Sequence, residues 1–347
     1  MFKKKMLLSV VMSALLVTAA AGCGNQGDKK SEVEGTGGSQ TEKKTYKIAI
    51  SQIVEHPSLD ATREGFLAAL KDAGITEGDN LTVNYKNAQG DSANNLSIAQ
   101  TIASEKEDLV LAIATPSAQA IVQQVKDKPV LFAAVTDPLD AKIVSNLDKP
   151  GGNVSGVSDT NPAAVQKLMD FVAKNFPNIK TVGLVINEGE PNAVVMAKNA
   201  EDALSKHNIK LVKAAVTNTS EVKQAAQSLV GRADAIFITL DNMVVSGADT
   251  IIQVANENHI PFFSSDRDTV EKGAFATVGF KYYDHGYQVG QMAVDILKNG
   301  KNPGDMKVTM QDKLDLILNL KAAAAQGITV TDEMKNEVED KEKNIIQ

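Results

Sequence analysis

Short runs of apolar, β-branched residues alternate along this chain with longer segments of helical periodicity, and this alternation limits the possible folds most strongly. The predicted strands cover residues 46–51, 81–86, 109–114, 130–135, 181–186, 210–216, 235–240 and 260–264. The predicted helices cover residues 58–73, 93–104, 117–125, 163–175, 193–207, 221–230, 244–258 and 283–298. Strands that are apolar on both faces and separated by helices form parallel sheets covered on both sides. The sequence therefore predicts an α/β protein with two doubly wound, Rossmann-like lobes.

A turn-rich segment at residues 149–153 separates the two predicted lobes and leads into a short strand at 154–157. After residue 264 the pattern changes to a strand at 274–280, the helix at 283–298, a turn at 300–304 and a strand near 306–309. We expect the chain to return to the first lobe for that helix. The first lobe is then 46–157 plus about 281–304, and the second is 158–280 plus about 305–347. The alternative is that these late pieces only extend the second lobe.

The N-terminal 22 residues have the layout of a secretory signal peptide, with three lysines followed by an apolar run at 6–21. That run is short for a membrane-spanning helix of about 20 residues. Cys23 is the only cysteine of the chain, and the stretch Ala20-Ala21-Gly22-Cys23 resembles a bacterial lipobox, in which the cysteine is lipidated. The alternative is a signal that is cleaved after an Ala-x-Ala-like site without lipidation.

Residues 24–45 are mostly Gly, Ser, Thr, Lys and Glu and have too few apolar side chains to form a core. We therefore expect residues 1–22 to be a signal peptide and residues 23–45 to be a lipidated, flexible tether. The expected location is extracytoplasmic, with lipid on Cys23 anchoring the protein to the bacterial cell membrane.

The charge balance and the motifs exclude several classes of function. Removal of residues 1–22 leaves 33 basic and 43 acidic residues, and a net charge of about −10 argues against a nucleic-acid partner. The four histidines are scattered without metal-ligand spacing, and the chain has no Walker A loop, no nucleophile elbow and no dinucleotide-binding glycine motif. We expect no enzymatic activity, no catalytic residues, no cofactor and no metal.

Several motifs occur in the order that is typical of one family: ISQIVEHP at 50–57, IATPSAQA at 113–120, AVTDP at 134–138, GGNVSGVSD at 151–159 and DN at 241–242. From about residue 46 to about 320, the chain resembles the TrpX-like ABC-transporter substrate-binding proteins, a branch of the type I periplasmic binding proteins. The resemblance implies two Rossmann-like lobes joined by a hinge of three crossovers. It also implies a protein that captures a small amino-acid-like ligand and delivers it to an ABC permease in the membrane, and we expect this protein to be a monomer.

The resemblance further implies a ligand class, because some relatives are linked to the uptake of aromatic amino acids. We expect an aromatic amino acid, with phenylalanine or tryptophan ahead of branched aliphatic ones. The segment Thr239-Leu240-Asp241-Asn242 differs from the Thr-Asp-Asn that is typical of the family, so the choice of ligand stays open at this point.

Polar residues that directly follow the apolar strands are the candidates for ligand binding, because ligands of open parallel sheets lie beyond the carboxyl ends of the strands. Thr115 and Ser117 could hold an α-carboxylate at the start of a helix, or one of them could be only the helix N-cap. Four carboxylates at strand ends could pair with an α-ammonium group, or each could be a turn or cap residue: Asp137, Asp159, Asp241 and Asp266.

Five further residues complete the predicted site. Gln52 and Glu55 lie in the loop after the first strand, and Ser158 precedes Asp159 at the first crossover. Asn192 lies after the strand at 181–186 and could instead only start the next helix. Tyr282 lies at the return crossover, where its ring could stack on a ligand or pack the hinge.

Two other functions remain compatible with this fold. One is a receptor module that presents its ligand to a membrane sensor kinase. The other is the ligand-binding core of a LacI-like repressor, which would need a basic helix-turn-helix before the core, and that element is absent from the sequence.

Overall fold

The computed structural model describes residues 44–311 and 313–347, so the expected signal peptide, Cys23 and nearly all of the expected tether lie outside the described residues. The strands are β1 Tyr46–Gln52, β2 Leu81–Asn87, β3 Leu109–Ile113, β4 Val130–Val135, β5 Val154–Ser158, β6 Thr181–Ile186, β7 Lys210–Ala215, β8 Ala235–Ile238, β9 Phe262–Ser264, β10 Ala276–Gly279, β11 Thr309–Met310, β12 Asp315–Asn319 and β13 Ile345–Ile346.

The α-helices are α1 Pro57–Asp72, α2 Ser92–Ser104, α3 Thr115–Gln124, α4 Pro162–Asn175, α5 Pro191–Ser205, α6 Val222–Leu229, α7 Asn242–Ser246, α8 Ala248–Asn258, α9 Arg267–Lys272, α10 Tyr282–Asn299, α11 Leu320–Ala325, α12 Asp332–Asn336 and α13 Lys341–Asn344. Short 3₁₀ turns lie at Thr219–Glu221 and Pro303–Asp305. Among the residues that the structure describes, no helix is long and apolar enough to cross a membrane.

The strands form two sheets, and each sheet with its helices is one lobe. The first sheet has the order β11-β5-β4-β3-β1-β2 and is parallel throughout. The second has the order β13-β12-β10-β9-β8-β6-β7, in which β12 runs antiparallel to β10. Apolar clusters of buried side chains cover both sheets. The expected α/β fold with two helix-covered, mostly parallel sheets is confirmed.

The chain passes between the two sheets three times. It leaves the first sheet after β5, returns after β10 for helix α10, and crosses again between β11 and β12. The side chains of α4 belong to the core of the second lobe, whereas those of α10 belong to the core of the first. Because the crossovers are short, they constrain the two lobes to move about one hinge.

The sequence analysis did not predict α9, β12, α11, α12, α13 or β13, and two predicted features also differ from the structure. Strand β11 pairs with β5 in the first sheet, so the final crossover follows Met310 rather than starting near residue 305. The helix expected at 244–258 is interrupted at Gly247, where an added Cβ would lie 3.1 Å from the Val222 side chain. The apolar periodicity continues through this break, but a glycine inside a helical pattern is a local signal of a weak point in the helix.

Helices α1 and α10 pack with their backbones almost in contact. A Cβ added at Gly286 of α10 would lie 1.9 Å from the Thr62 carbonyl oxygen of α1. A Cβ added at Gly65 of α1 would lie 2.0 Å from the Tyr283 carbonyl oxygen of α10. The return helix is therefore fixed to the first lobe by a close approach that only glycine allows.

We predict that Gly286→Ala lowers the free energy of unfolding by at least about 2 kcal/mol, because the backbones would have to separate. Gln291→Ala is the control, since Gln291 is exposed on the same helix. Urea denaturation followed by circular dichroism measures both variants. Equal stability of the two variants would show that the helix pair can open without cost.

Candidate functional site

A small cavity lies between the two lobes, at the carboxyl ends of their strands. It has a volume of about 10 Å³, and we call it the central cavity. The first lobe contributes His56, Ser58, Leu59, Ala134 and Tyr282, and the second contributes Asp159, Asn192, Leu240, Asn242, Val245 and Asp266. This is the position at which open parallel sheets bind ligands.

Asp266 connects the lobes directly. It is the N-cap of α9, where its Oδ1 accepts the Asp268 backbone N–H at 2.9 Å. Its Oδ2 accepts the Ser58 hydroxyl from α1 at 2.7 Å and the Thr269 hydroxyl at 3.0 Å. One carboxylate thus holds the N-terminal ends of two helices from different lobes.

Asp159 is buried at the first crossover. Its Oδ2 accepts the Tyr282 hydroxyl at 3.1 Å, and its Oδ1 accepts the Thr160 hydroxyl at 3.2 Å. Burial raises the pKa of Asp159 to about 6, although these hydroxyl donors favour the ionised form. The carboxylate is therefore largely ionised at neutral pH but has no cationic partner among the residues of the cavity.

A second acidic cluster lies beside the cavity. Glu190 accepts the Asn192 and Asn242 side-chain amides at 3.1 and 2.7 Å, and it also accepts the Met243 backbone N–H at 3.1 Å. Asp241 is the N-cap of α7 and accepts the Val244 backbone N–H at 3.1 Å. Burial and the nearby Glu190 carboxylate raise the pKa of Asp241 well above its usual range.

The basic groups near the cavity do not neutralise these acids. Burial lowers the pKa of His56, so its ring is neutral at pH 7, and it contacts the Asn242 Oδ1 across the lobes at 3.5 Å. Arg267 points away from the cavity and binds the Glu271 carboxylate and the Asn344 side chain. No lysine or arginine lines the central cavity in the part of the chain that the structure describes.

Two buried polar atoms of the cavity lining have no hydrogen-bond partner among the described residues: His56 Nδ1 and Asn192 Oδ1. Buried polar atoms are almost always paired in folded proteins, so such atoms in a cavity indicate a ligand or an ordered water. With Asp159 and Asp266, the lining is rich in acceptors. A donor that carries positive charge would fit it best.

Ala134 lines the cavity with a strained backbone. Its φ is +54°, which is unusual for a residue with a side chain, and its N–H donates to His285 Nε2 at 2.9 Å. Burial lowers the pKa of His285 to about 3, so this imidazole stays neutral and can accept that hydrogen bond. Backbone strain of this kind is concentrated at functional sites.

A much larger opening adjoins the central cavity, and we call it the outer cleft. Its volume is about 850 Å³, and Asn242 lines both spaces. Its wall includes apolar side chains from both lobes, among them Val54, Leu96, Pro116 and Met243. In the described residues that line it there is no lysine, arginine, histidine or aromatic side chain.

Four of the eleven predicted site residues line the central cavity: Asp159, Asn192, Asp266 and Tyr282. Asp241 lies beside it as a helix cap, and Ser158 is buried one residue from Asp159, with its hydroxyl donating to the Thr136 carbonyl at 3.1 Å. The Tyr282 ring packs on Phe280, with 5.1 Å between ring centroids, so the ring packs the hinge while its hydroxyl reaches Asp159.

The other five predicted residues do not line the central cavity. Thr115 and Ser117 are turned into the first lobe, where they contact the Thr136 N–H and the Asn95 Oδ1. Neither is the helix N-cap, since Ala114 occupies that position. Asp137 closes a turn on the Leu139 and Asp140 N–H groups.

Gln52 and Glu55 also make contacts within the first lobe, and Gln52 is the last residue of β1 rather than a loop residue. Gln52 binds Asp60 and Arg63 of α1, each at 2.9 Å. Glu55 is exposed and accepts the Tyr85 hydroxyl at 3.0 Å. These two side chains do not reach the central cavity because partners within the first lobe hold them.

Four polar residues in or beside the central cavity are missing from the predicted set: His56, Ser58, Glu190 and Asn242. His56 and Asn242 lie in the motifs at 50–57 and 241–242, but a motif does not tell which of its side chains faces a cavity. Ser58 gave no signal, because its partner Asp266 is 208 residues away in the sequence. Glu190 is followed by a proline at the start of a helix, a pattern that indicates only a helix boundary.

The comparisons with known proteins agree with this arrangement. The family model described as ABC transporter substrate binding protein matches residues 47–341. The chain belongs to this family. Members of this family have a binding role, and ABC substrate-binding proteins act outside the cytoplasm.

Three relatives are similar over most of the chain. A tyrosine-binding protein from Clostridioides difficile (strain R20291) is 39% identical over 338 residues, which are 95% of each chain. An ABC domain from Streptococcus pneumonia, solved in complex with L-Trp, is 31% identical with a TM-score of 0.81 and covers 87% of this chain and 100% of its own. A substrate-binding protein with adhesive properties from Clostridium difficile, solved in a ligand-free, open structure, is 40% identical with a TM-score of 0.63. The match covers 87% of this chain and 98% of that one.

The two solved structures, the L-Trp complex and the open, ligand-free protein, differ in how well they superpose on this substrate-binding protein. The L-Trp complex has the lower identity but the higher TM-score. The lobes of this protein are closed on one another, since the Ser58 hydroxyl of the first lobe donates to Asp266 of the second and His56 contacts Asn242.

We predict that Asp159→Asn stabilises the ligand-free protein at pH 7.5. Since the pKa of Asp159 is raised to about 6, the folded state holds this proton more tightly than the unfolded state. The protonated carboxyl group therefore stabilises the folded state at low pH. As the pH rises from about 4 to 6 this stabilisation is lost, and the free energy of unfolding falls by up to about 3 kcal/mol.

Denaturation in urea at pH 4.5 and 7.5 tests this sign. Asp159→Asn should raise the free energy of unfolding at pH 7.5, and this increase should be smaller at pH 4.5. Asp140→Asn, in an exposed loop, is the control and should change stability at neither pH. A variant that is less stable than the unmodified protein at pH 7.5 would contradict the prediction.

Proposed function

We propose that this substrate-binding protein captures an amino acid by its α-ammonium group, which enters the central cavity. One observation carries the proposal: two buried carboxylates, Asp159 and Asp266, line that cavity without a lysine or arginine among its described residues. An ammonium group supplies the missing charge and up to three donors. Asn192 Oδ1 is a further acceptor at the same place.

The size of the two spaces supports this orientation. A volume of about 10 Å³ is roughly what one water molecule needs, and an ammonium group is of similar size. The side chain and the carboxyl group of the ligand would therefore extend past Asn242 into the outer cleft. Val54, Leu96, Pro116 and Met243 offer apolar contact there.

Two relatives support an aromatic amino acid as the ligand. One is named a tyrosine-binding protein, and another was solved in complex with L-Trp. Burial of an aromatic ring against the apolar wall of the outer cleft would contribute roughly 1.5 to 3 kcal/mol to the binding free energy. The loaded protein would then deliver the ligand to the permease of its ABC transporter.

Tryptophan fluorescence tests the ligand class, because the chain contains no tryptophan and the ligand can be excited alone. We predict a blue shift of tryptophan emission on binding, which tyrosine and phenylalanine reverse and leucine does not. Stronger competition by leucine or by a sugar would overturn the aromatic assignment.

Substitutions at the two carboxylates test the ammonium site. Asp159→Asn and Asp266→Asn should each raise Kd by about 10 to 150-fold, because a hydrogen bond to a charged group contributes about 1.5 to 3 kcal/mol to binding. Asp137→Asn is the matched control, because this strand-end carboxylate closes a turn outside the cavity. If all three variants bind alike, the ammonium group lies elsewhere.

We further propose that lipid on Cys23 anchors the protein to the membrane, as the lipobox-like stretch indicates. Several acyl chains on one residue would give stable attachment, since each buried CH₂ contributes about 0.8 kcal/mol. Cys23→Ser should move the protein from the membrane fraction to the medium. Unchanged fractionation of that variant would exclude the anchor.

A further inference from the structure

We infer that the site also accepts short peptides with a free N-terminus, whose first residue binds as the amino acid does and whose remaining residues lie in the outer cleft. The inference rests on the proposed function, because it uses the same ammonium contact in the central cavity. It adds a second ligand class for which the outer cleft, rather than the central cavity, provides the contacts.

The distribution of charge supports this extension. No lysine, arginine or histidine lines the outer cleft within the described part of the chain, and its charged side chains there are Asp91 and Glu190. A ligand carboxylate next to the ammonium group would therefore find no cationic partner. Replacing that carboxylate by a peptide bond removes no ion pair, because the negative charge only moves to the C-terminal carboxylate, one residue further along the cleft.

The space also fits more than one residue. A volume of about 850 Å³ is near the upper end of the roughly 300 to 1,000 Å³ that is typical of pockets for drug-sized ligands. The central cavity admits only the ammonium group, so the carboxyl carbon of the first residue already points towards the outer cleft. A second residue would continue in that direction.

The polar wall of the outer cleft has the groups that a peptide backbone needs. Side-chain amides line it from both lobes, among them Gln89, Gln119 and Gln123 of the first and Asn187 and Asn218 of the second. A side-chain amide carries both a donor and an acceptor, as a peptide bond does. Gln119 and Asn187 already use one of these groups, in bonds to Ala141 and Gly189. Gln89 and Gln123 are exposed, so they are free to turn towards a ligand.

Calorimetry on the full chain tests the inference with four probes: L-tyrosine, L-tyrosinamide, L-tyrosyl-L-alanine and N-acetyl-L-tyrosine. If another amino acid binds more tightly than tyrosine, the corresponding four probes are made from that amino acid. We expect the amide and the dipeptide to bind within about tenfold of tyrosine and the acetylated probe to bind at least about 100-fold more weakly.

The outcomes separate the two proposals. Binding of tyrosine, with the amide and the dipeptide both more than about 100-fold weaker, overturns the inference and leaves the proposed function intact. Failure of every amino acid to bind, or binding of N-acetyl-L-tyrosine as tight as that of tyrosine, overturns both.

A single tryptophan locates the second residue. Gln123→Trp places the fluorophore on the wall of the outer cleft, and Gln227→Trp places it at an exposed position of α6 as the matched control. Saturation with L-tyrosyl-L-alanine should shift the emission of the first variant more than L-tyrosine does and leave the second unchanged. A dipeptide that binds without this extra shift at position 123 would place its second residue elsewhere and overturn the inference.

Discussion

The burial of carboxylates where the two lobes meet is the constraint on which the rest of this structure depends. Asp159 and Asp266 have given up most of their hydration, and no lysine or arginine lines the central cavity beside them within the described chain. Hydroxyls and backbone N–H groups hold them, and these neutral donors compensate the loss of hydration only in part. A site of this kind is less stable empty than with a cation bound, and that difference becomes binding free energy.

The fold positions these groups by joining rigid lobes through three short crossovers. Helix α10 would be free to move with either lobe if its attachment were loose. The close approach at Gly65 and Gly286 fixes it to α1, and therefore to the first lobe. In the closed arrangement Asp266 of the second lobe meets Ser58 of the first, so this contact joins two whole lobes rather than two loops.

The sequence predicts the fold well because strand and helix periodicity depend on local patterns of apolar residues. It predicts the site only in part. Strand ends indicate where Asp159, Asp266 and Asp137 lie along the chain, but the direction of each carboxylate depends on its partners. Asp137 has backbone N–H groups within its own turn, whereas Asp266 meets a hydroxyl from the other lobe. The inward turn of Thr115 and Ser117 depends equally on distant partners, Thr136 and Asn95.

The hydrogen bond from Tyr282 to Asp159 joins two of the three crossovers, because Asp159 follows β5 and Tyr282 begins the helix after β10. The hinge therefore contains an ionisable group that also lines the central cavity. A cation that binds Asp159 changes the strength with which this carboxylate attracts the Tyr282 hydroxyl. Recognition and mechanical stiffness are then properties of the same oxygen atoms, so the charge of the ligand, more than its size, would set how firmly the hinge holds.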